Sequence, residues 1–111
     1  MATLSLRIDF SAAESVGPGK IRLLELIKET GSIAAAGRAM DMSYRRAWLL
    51  IDELNRTFRK PVVATKLGGN GAELVAHYRD METVAHAALR PHLLELEKSL
   101  APPAADIKQS A

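Results

Sequence analysis

The stretch Gly31–Trp48, GSIAAAGRAMDMSYRRAW, constrains the fold more than any other part of the chain. Gly31 is placed to stop a preceding helix, and Ser32 to accept a backbone N–H as the N-cap of the next. The segment 33–40 carries mostly small side chains, so a second helix can approach it closely. Only residues 41–43 then separate it from 44–58, which starts behind a second capping serine, Ser43. Three residues suffice for a tight turn and nothing more. Two short helices joined this way cross steeply, and a small residue is required at the crossing point; Gly37 occupies it. Ala36, Met40, Met42, Ala47, Leu50 and Ile51 are placed to anchor both sides. Asp41 falls where such turns take positive φ, which Asp tolerates better than most residues. The pattern predicts a helix-turn-helix.

The predicted second helix, 44–58, sorts its residues by face at 100° per step. Ala47, Leu50, Ile51, Leu54 and Phe58 form an apolar face. Arg45, Leu49, Glu53 and Arg56 lie opposite, and Arg46 and Asp52 fall on the flanks. A helix-turn-helix presents the start of its second helix to the DNA major groove, where this chain has Ser43, Tyr44, Arg45 and Arg46. Arg45 is the expected base reader, since guanidinium groups bind guanine O6/N7 in bidentate fashion. Arg46 is expected on a phosphate, and Ser43 or the first backbone N–H groups can hold another. Leu49 points the same way and can meet a thymine methyl, or simply be a lone exposed leucine. Tyr44 and Trp48 sit at the edge of the apolar face, and packing that buttresses this helix is expected of them.

Around this unit, LSLRIDF (4–10) alternates apolar and polar residues and reads as a half-buried strand. SAAESVGPG (11–19) reads as a loop, and KIRLLELIKET (20–30) as an amphipathic helix with Ile21, Leu24, Ile27 and Lys28 near one face. Pro61 ends the central helical region. VVATKL (62–67) is β-prone, and GGNG (68–71) suits a loop or hairpin tip. From Glu73 to about Leu100 a long helix is expected. Leu74, Tyr78, Met81, Ala85, Leu89, Leu93, Leu96 and Leu100 recur along it every three or four residues, and a kink or break is expected at Pro91. A single apolar stripe on a long helix suggests pairing with a second copy. The end, 101–111, reads as a frayed tail.

At 111 residues, 48% apolar and 25% charged, the chain suits one globular domain. It contains no cysteine, which excludes disulfides, thiolate metal sites and cysteine nucleophiles. No apolar run is long enough to span a membrane and no leader pattern opens the chain, so a cytoplasmic protein is expected. The net charge of +2 is unevenly spread: residues 1–72 hold 11 Lys/Arg against 7 Asp/Glu, and residues 73–111 hold 4 against 6. The first part suits a polyanion. Glu73, His77 and Met81 share a helical face, but without ligands from a second helix a metal site is not expected. No nucleophile–base order, phosphate loop or carboxylate pair stands out, so the chain does not read as an enzyme.

GSIAAAGRAMDMSYRRAWLLIDELN (31–55) and PVVATKLGGNG (61–71) together resemble the N-terminal DNA-binding domain of ModE-type molybdate-responsive regulators. They are related more distantly to the LysR-type winged helix-turn-helix. The elements GSI, MSYRRAW, DELN, PVV and GG-G stand in that family's order and spacing. The resemblance implies a mainly α (α+β) winged helix-turn-helix with a long C-terminal dimerisation helix. Residues 1–72 would form the DNA-binding domain, with the helix-turn-helix at 32–58 and the wing at 61–72; 73–100 would be the dimerisation helix.

Carried over by position, Ser43, Tyr44, Arg45 and Arg46 match the DNA-facing start of the family's recognition helix, and Lys66, Gly68, Gly69 and Gly71 match its wing; Ser32, Leu49 and Asn70 complete the expected DNA-binding set. The implied dimer contacts are Leu74, Tyr78, Met81, Ala85, Leu89, Leu93 and Leu96. Two departures bear on function. GGNG passes almost at once into AELVAHYRDME, so either the wing is cut short or a flexible stretch that the family carries there is missing. The family's molybdate-binding domains do not occur in these residues, so no cofactor and no molybdate binding are expected. The expected function is a sequence-specific, repressor-type regulator that binds a roughly palindromic site on double-stranded DNA as a homodimer. The alternative is a winged-helix protein-interaction module that does not bind DNA.

Overall fold

The computed structural model describes residues 2–63 and 71–102. Four helices follow a two-stranded sheet: β1 (Ile8–Asp9), β2 (Ser15–Val16), α1 (Pro18–Thr30), α2 (Ile33–Ala39), α3 (Tyr44–Thr57) and α4 (Gly71–Lys98). The architecture is mainly helical, with a small antiparallel sheet and a long C-terminal helix.

The expected strand over 4–10 shrinks to two residues, antiparallel with Ile8 opposite Val16 and Asp9 opposite Ser15. The physical reason is the partner: β2 runs directly into α1, so no ladder remains for residues 4–7. Their alternation survives as packing. Leu4, Leu6 and Ile8 are half-buried, while Ser5, Arg7 and Asp9 are exposed. This segment is tied to α4 instead, with the Tyr78 hydroxyl donating to the Leu6 carbonyl at 2.6 Å and the Ala2 N–H donating to Glu97 at 3.0 Å. Phe10 leaves the expected apolar face. It is half exposed and meets Phe58 edge-on, with ring centroids 5.7 Å apart. The expected loop 11–19 therefore contains β2.

Helix α1 begins with Pro18 at its first turn, where the missing N–H costs nothing. Gly31 ends it at φ +84°, donating its N–H to the Ile27 carbonyl at 2.8 Å. Ser32 then caps α2 by accepting the Ala35 N–H at 3.0 Å. Asp41 takes positive φ, at 56°, and the Met42 N–H donates to the Gly37 carbonyl at 2.9 Å. Ser43 caps α3 by accepting the Arg46 N–H at 3.1 Å. Gly37 is buried at the crossing, and a Cβ there would lie 3.1 Å from the Ala47 Cβ. The expected caps, the Asp41 turn and the Gly37 crossing are met, while α1 starts at Pro18, two residues before the expected 20.

The core joins Val16 to Ile21, Leu23, Leu24 and Leu26 of α1, Ala36 of α2, Ala47, Ile51 and Leu54 of α3, Val62, and Tyr78 of α4. Helix α4 is continuous through Pro91, so the expected break is absent. The ring removes one N–H from the ladder, and the remaining hydrogen bonds of a helix roughly 42 Å long carry it through. The first turns of α4 pack on α1. There Arg79 donates twice to Glu25, at 3.1 and 2.8 Å, and once to Glu82 at 2.6 Å. Arg22 approaches the same Glu25 at 3.5 Å. The Arg79 hydrogen bonds hold the Glu25 carboxyl below its ordinary pKa, against the opposing effect of burial. The same bonds raise Arg79.

Candidate nucleic-acid interface

The turn and its two caps fix how α3 emerges. α2 crosses α3 at Gly37, against Ala47, and the residues that α3 buries form a narrow strip, Ala47, Ile51 and Leu54. Everything outside that strip faces out at the start of the helix. Tyr44, Arg45 and Arg46 are all exposed, and Leu49 is 40% exposed on the face opposite the core. Arg56, further along that face, is paired with Asp52 one turn away. Among the described residues, no carboxylate lies within salt-bridge distance of Arg45 or Arg46. The free positive charge of α3 is thus concentrated in its first turn. Of the backbone N–H groups of that turn, which have no partner within the helix, Ser43 accepts that of Arg46.

Tyr44 and Trp48 depart from expectation. They are 58% and 46% exposed, not packed as props. Their position on the helix wheel is the one expected, but the covered strip is too narrow to reach them. The two aromatic rings are one turn apart, on the flank of α3 away from Arg46. The same flank continues to Asn55, a residue without an assigned role in the sequence reading. Its side-chain carbonyl accepts the N–H groups of Val62 and Val63, at 2.9 and 3.2 Å, and its amide donates to the Val63 carbonyl at 3.1 Å. Asn55 therefore staples the segment after α3 back onto α3. The Val62 carbonyl also accepts the Gly71 N–H at 2.9 Å, so the chain leaves and re-enters the described fold at one point. A Cβ at Gly71 would lie 2.8 Å from that carbonyl, so glycine is required there. The wing residues Lys66, Gly68, Gly69 and Asn70 lie outside the described residues, as does most of the expected 61–72 wing.

Ser32 and Ser43 hold the helix starts, and each hydroxyl keeps its own proton to donate. The stripe on α4 divides. Leu74 is half-buried against the chain's own core, and Tyr78 is fully buried there, so Tyr78 is not available to a partner. Burial and the nearby Glu82 raise the pKa of its hydroxyl, which stays protonated as donor to Leu6. Ala85 and Leu93 are half-buried, while Met81, Leu89 and Leu96 stand 41%, 40% and 64% exposed. Among the described residues no cluster of three His, Asp or Glu side chains could hold a metal ion, and no helix is long and apolar enough to cross a membrane.

No protein-family model matches the chain. It is 35% identical over 99 residues to the molybdenum transport protein ModE of Azotobacter vinelandii, an alignment covering 80% of this chain and 36% of that protein. It is 31% identical over 64 residues to the transcriptional regulator ModE of Haemophilus influenzae, covering 58% and 25%. The molybdenum-pterin-binding protein MopA of Rhodobacter capsulatus is 40% identical over 65 residues, covering 59% and 24%. The chain spans about a quarter to a third of the length of these curated relatives.

Proposed function

For a chain homologous to the N-terminal region of ModE-type molybdate-responsive regulators, we propose the function of a sequence-specific DNA-binding regulator. The supporting observation is the start of α3. Two exposed arginines, with no acidic partner among the described residues, follow a capped three-residue turn, Arg45 opposite the core and Arg46 on the flank. Arg45, opposite the buried strip, enters the major groove and reads a base edge; Leu49 follows it along the same face. Arg46, on the flank, holds a phosphate, and Ser43 with the first N–H groups of α3 holds another.

In this reading the exposed part of the α4 stripe, from Met81 to Leu96, pairs with a second copy. Two-fold pairing sets the two α3 helices about 34 Å apart on one side of the duplex and calls for a roughly palindromic site. The protein works in the cytoplasm as a repressor-type regulator in molybdenum-related control, the field to which the names of its relatives belong.

The test is selection of bound sequences from a random duplex pool. Enrichment of two inverted half-sites about one helical turn apart is the expected result. Recovery of unenriched sequence contradicts the reading. The exposed Tyr44, Trp48 and Leu49 favour a second reading, a protein-interaction module. It predicts that Tyr44→Ala and Trp48→Ala abolish a protein contact, and that the chain enriches no duplex.

A further inference from the structure

We propose that Arg7, just before β1, joins Arg46 in gripping one phosphate strand of the bound duplex, so that the DNA contact extends from α3 onto the chain's N-terminal segment. This inference rests on the DNA-binding reading above. It starts from dimensions. A helix is about 10–12 Å across with its side chains, and the major groove is about 12 Å wide. A helix lying in that groove turns its two flanks toward the two sugar–phosphate strands.

The flanks of α3 differ in chemistry. One carries Tyr44 and Trp48. The other carries Arg46 and Leu50, which together with Met42 of the preceding turn form one wall of a shallow, open groove. Gly17, Pro18 and Gly19, at the beginning of α1, line the groove as well, and so does Arg7. Two arginines from separate parts of the chain thus meet a single groove beside the recognition helix.

Their charges are available. Arg46 has no carboxylate within salt-bridge distance among the described residues. Arg7 donates through Nε to Asp9 at 2.9 Å, but both side chains are more than 60% exposed, and such a pair holds weakly. Of the five N–H donors of a guanidinium, that contact takes one and leaves the terminal nitrogens to reach a phosphate. Lys20 lines the same groove and is excluded from the assignment. Its ammonium donates to the Ser15 carbonyl at 2.9 Å and pairs with Glu53 at 3.2 Å, and its side chain is 13% exposed.

The groove is also open to a backbone. A Cβ at Gly19 would have nothing within 4 Å, and one at Gly17 would rest 3.9 Å from the Arg7 stem. The Arg7 stem therefore lies over Gly17, and no side chain stands between it and Arg46 at position 19. The alternation of residues 4–10 had placed Arg7 simply on a solvated face. Only the return of the N-terminal segment to α1 brings it beside α3.

The test compares duplex affinity as a function of salt for the unaltered chain, Arg7→Ala, Arg7→Lys and Gly19→Glu. Each phosphate contact contributes about 0.9 to the slope of log affinity against log salt. Arg7→Ala is expected to lower the slope by about that amount per protomer, and to weaken selected and scrambled sequences by the same factor. Arg7→Lys keeps the slope. Gly19→Glu places an acid in the first turn of α1, where it favours the helix. It is expected to keep or raise the unfolding temperature while weakening every duplex.

An unchanged slope and affinity for Arg7→Ala, with the unaltered chain binding normally, overturns the inference. So does a loss confined to one sequence, which would make Arg7 a base reader. Absence of binding by the unaltered chain overturns the parent reading instead.

Discussion

Leu74 and Tyr78, in the first turns of α4, are covered by the chain's own helices, whereas Leu89 and Leu96, further along the same stripe, stand 40% and 64% exposed. The residues are alike in type and spacing. What differs is the neighbour: α1 and the N-terminal segment reach the first turns of α4, with Arg79 bridging to Glu25 and Tyr78 bonding Leu6, and the stripe then runs beyond α1. Apolar periodicity states that a face must be covered. It does not state whether the cover comes from the same chain. The near half of α4 belongs to the head of the molecule; along the far half the N-terminal segment touches one side, where the Ala2 N–H donates to Glu97, and Leu89 and Leu96 stay exposed.

Four variants test that division. Tyr78→Ala removes the largest fully buried side chain and is expected to cost about 3–5 kcal/mol in chemical denaturation. A loss of under 1 kcal/mol would place the near half outside the core. Gly37→Val forces bulk against Ala47, where a Cβ alone already lies at 3.1 Å, and overpacking of this kind costs about 1–3 kcal/mol. Its thermal unfolding should fall at every protein concentration, because the crossing lies within one protomer.

Glu25→Gln tests the bridge between α1 and α4. The folded-state pKa of Glu25 is lowered, so its contribution is present above the unfolded value, about 4.3, and is lost as pH falls through the folded value. Glu25→Gln should lose under about 1 kcal/mol at pH 7, since the pair is partly exposed. It should also show a shallower loss of stability between neutral and acid pH, followed by circular dichroism. An unchanged pH profile contradicts the role of the bridge. Least disturbing to the head is the double substitution Leu89→Ser with Leu96→Ser. Stability of the head should stay within about 0.5 kcal/mol, while sedimentation should shift the proposed dimer to monomer. A dimer that survives would move the association surface elsewhere.

What was legible in the sequence was local. Ser32, Ser43, Asp41 and Gly31 each act on backbone within four residues, so their types and spacing sufficed to place α2, the turn and α3. The Gly37 crossing was legible too, because the short turn leaves the helices no other meeting point. What escaped depends on distant neighbours. Tyr78 reaches Leu6 and Arg79 reaches Glu25 across many tens of residues, and no spacing rule joins them. The helix period puts Trp48 at the edge of the apolar face, but whether it is covered depends on which elements reach that edge. Asn55 stands in the motif without a visible partner, and its staple to Val62 and Val63 exists only once the chain doubles back. Arg7 is of the same kind, since the alternation of its strand does not say which helix it passes.

The central claim is that the exposed first turn of α3 binds duplex DNA, and salt dependence tests it most directly. Arg46 from each protomer of a dimer, taken alone, predicts a slope of about −1.8 for log affinity against log salt, and further phosphate contacts make it steeper. A slope of that size or steeper, reduced in Arg46→Ala, is the expected result. A slope near zero, or no binding at low salt, would contradict the account.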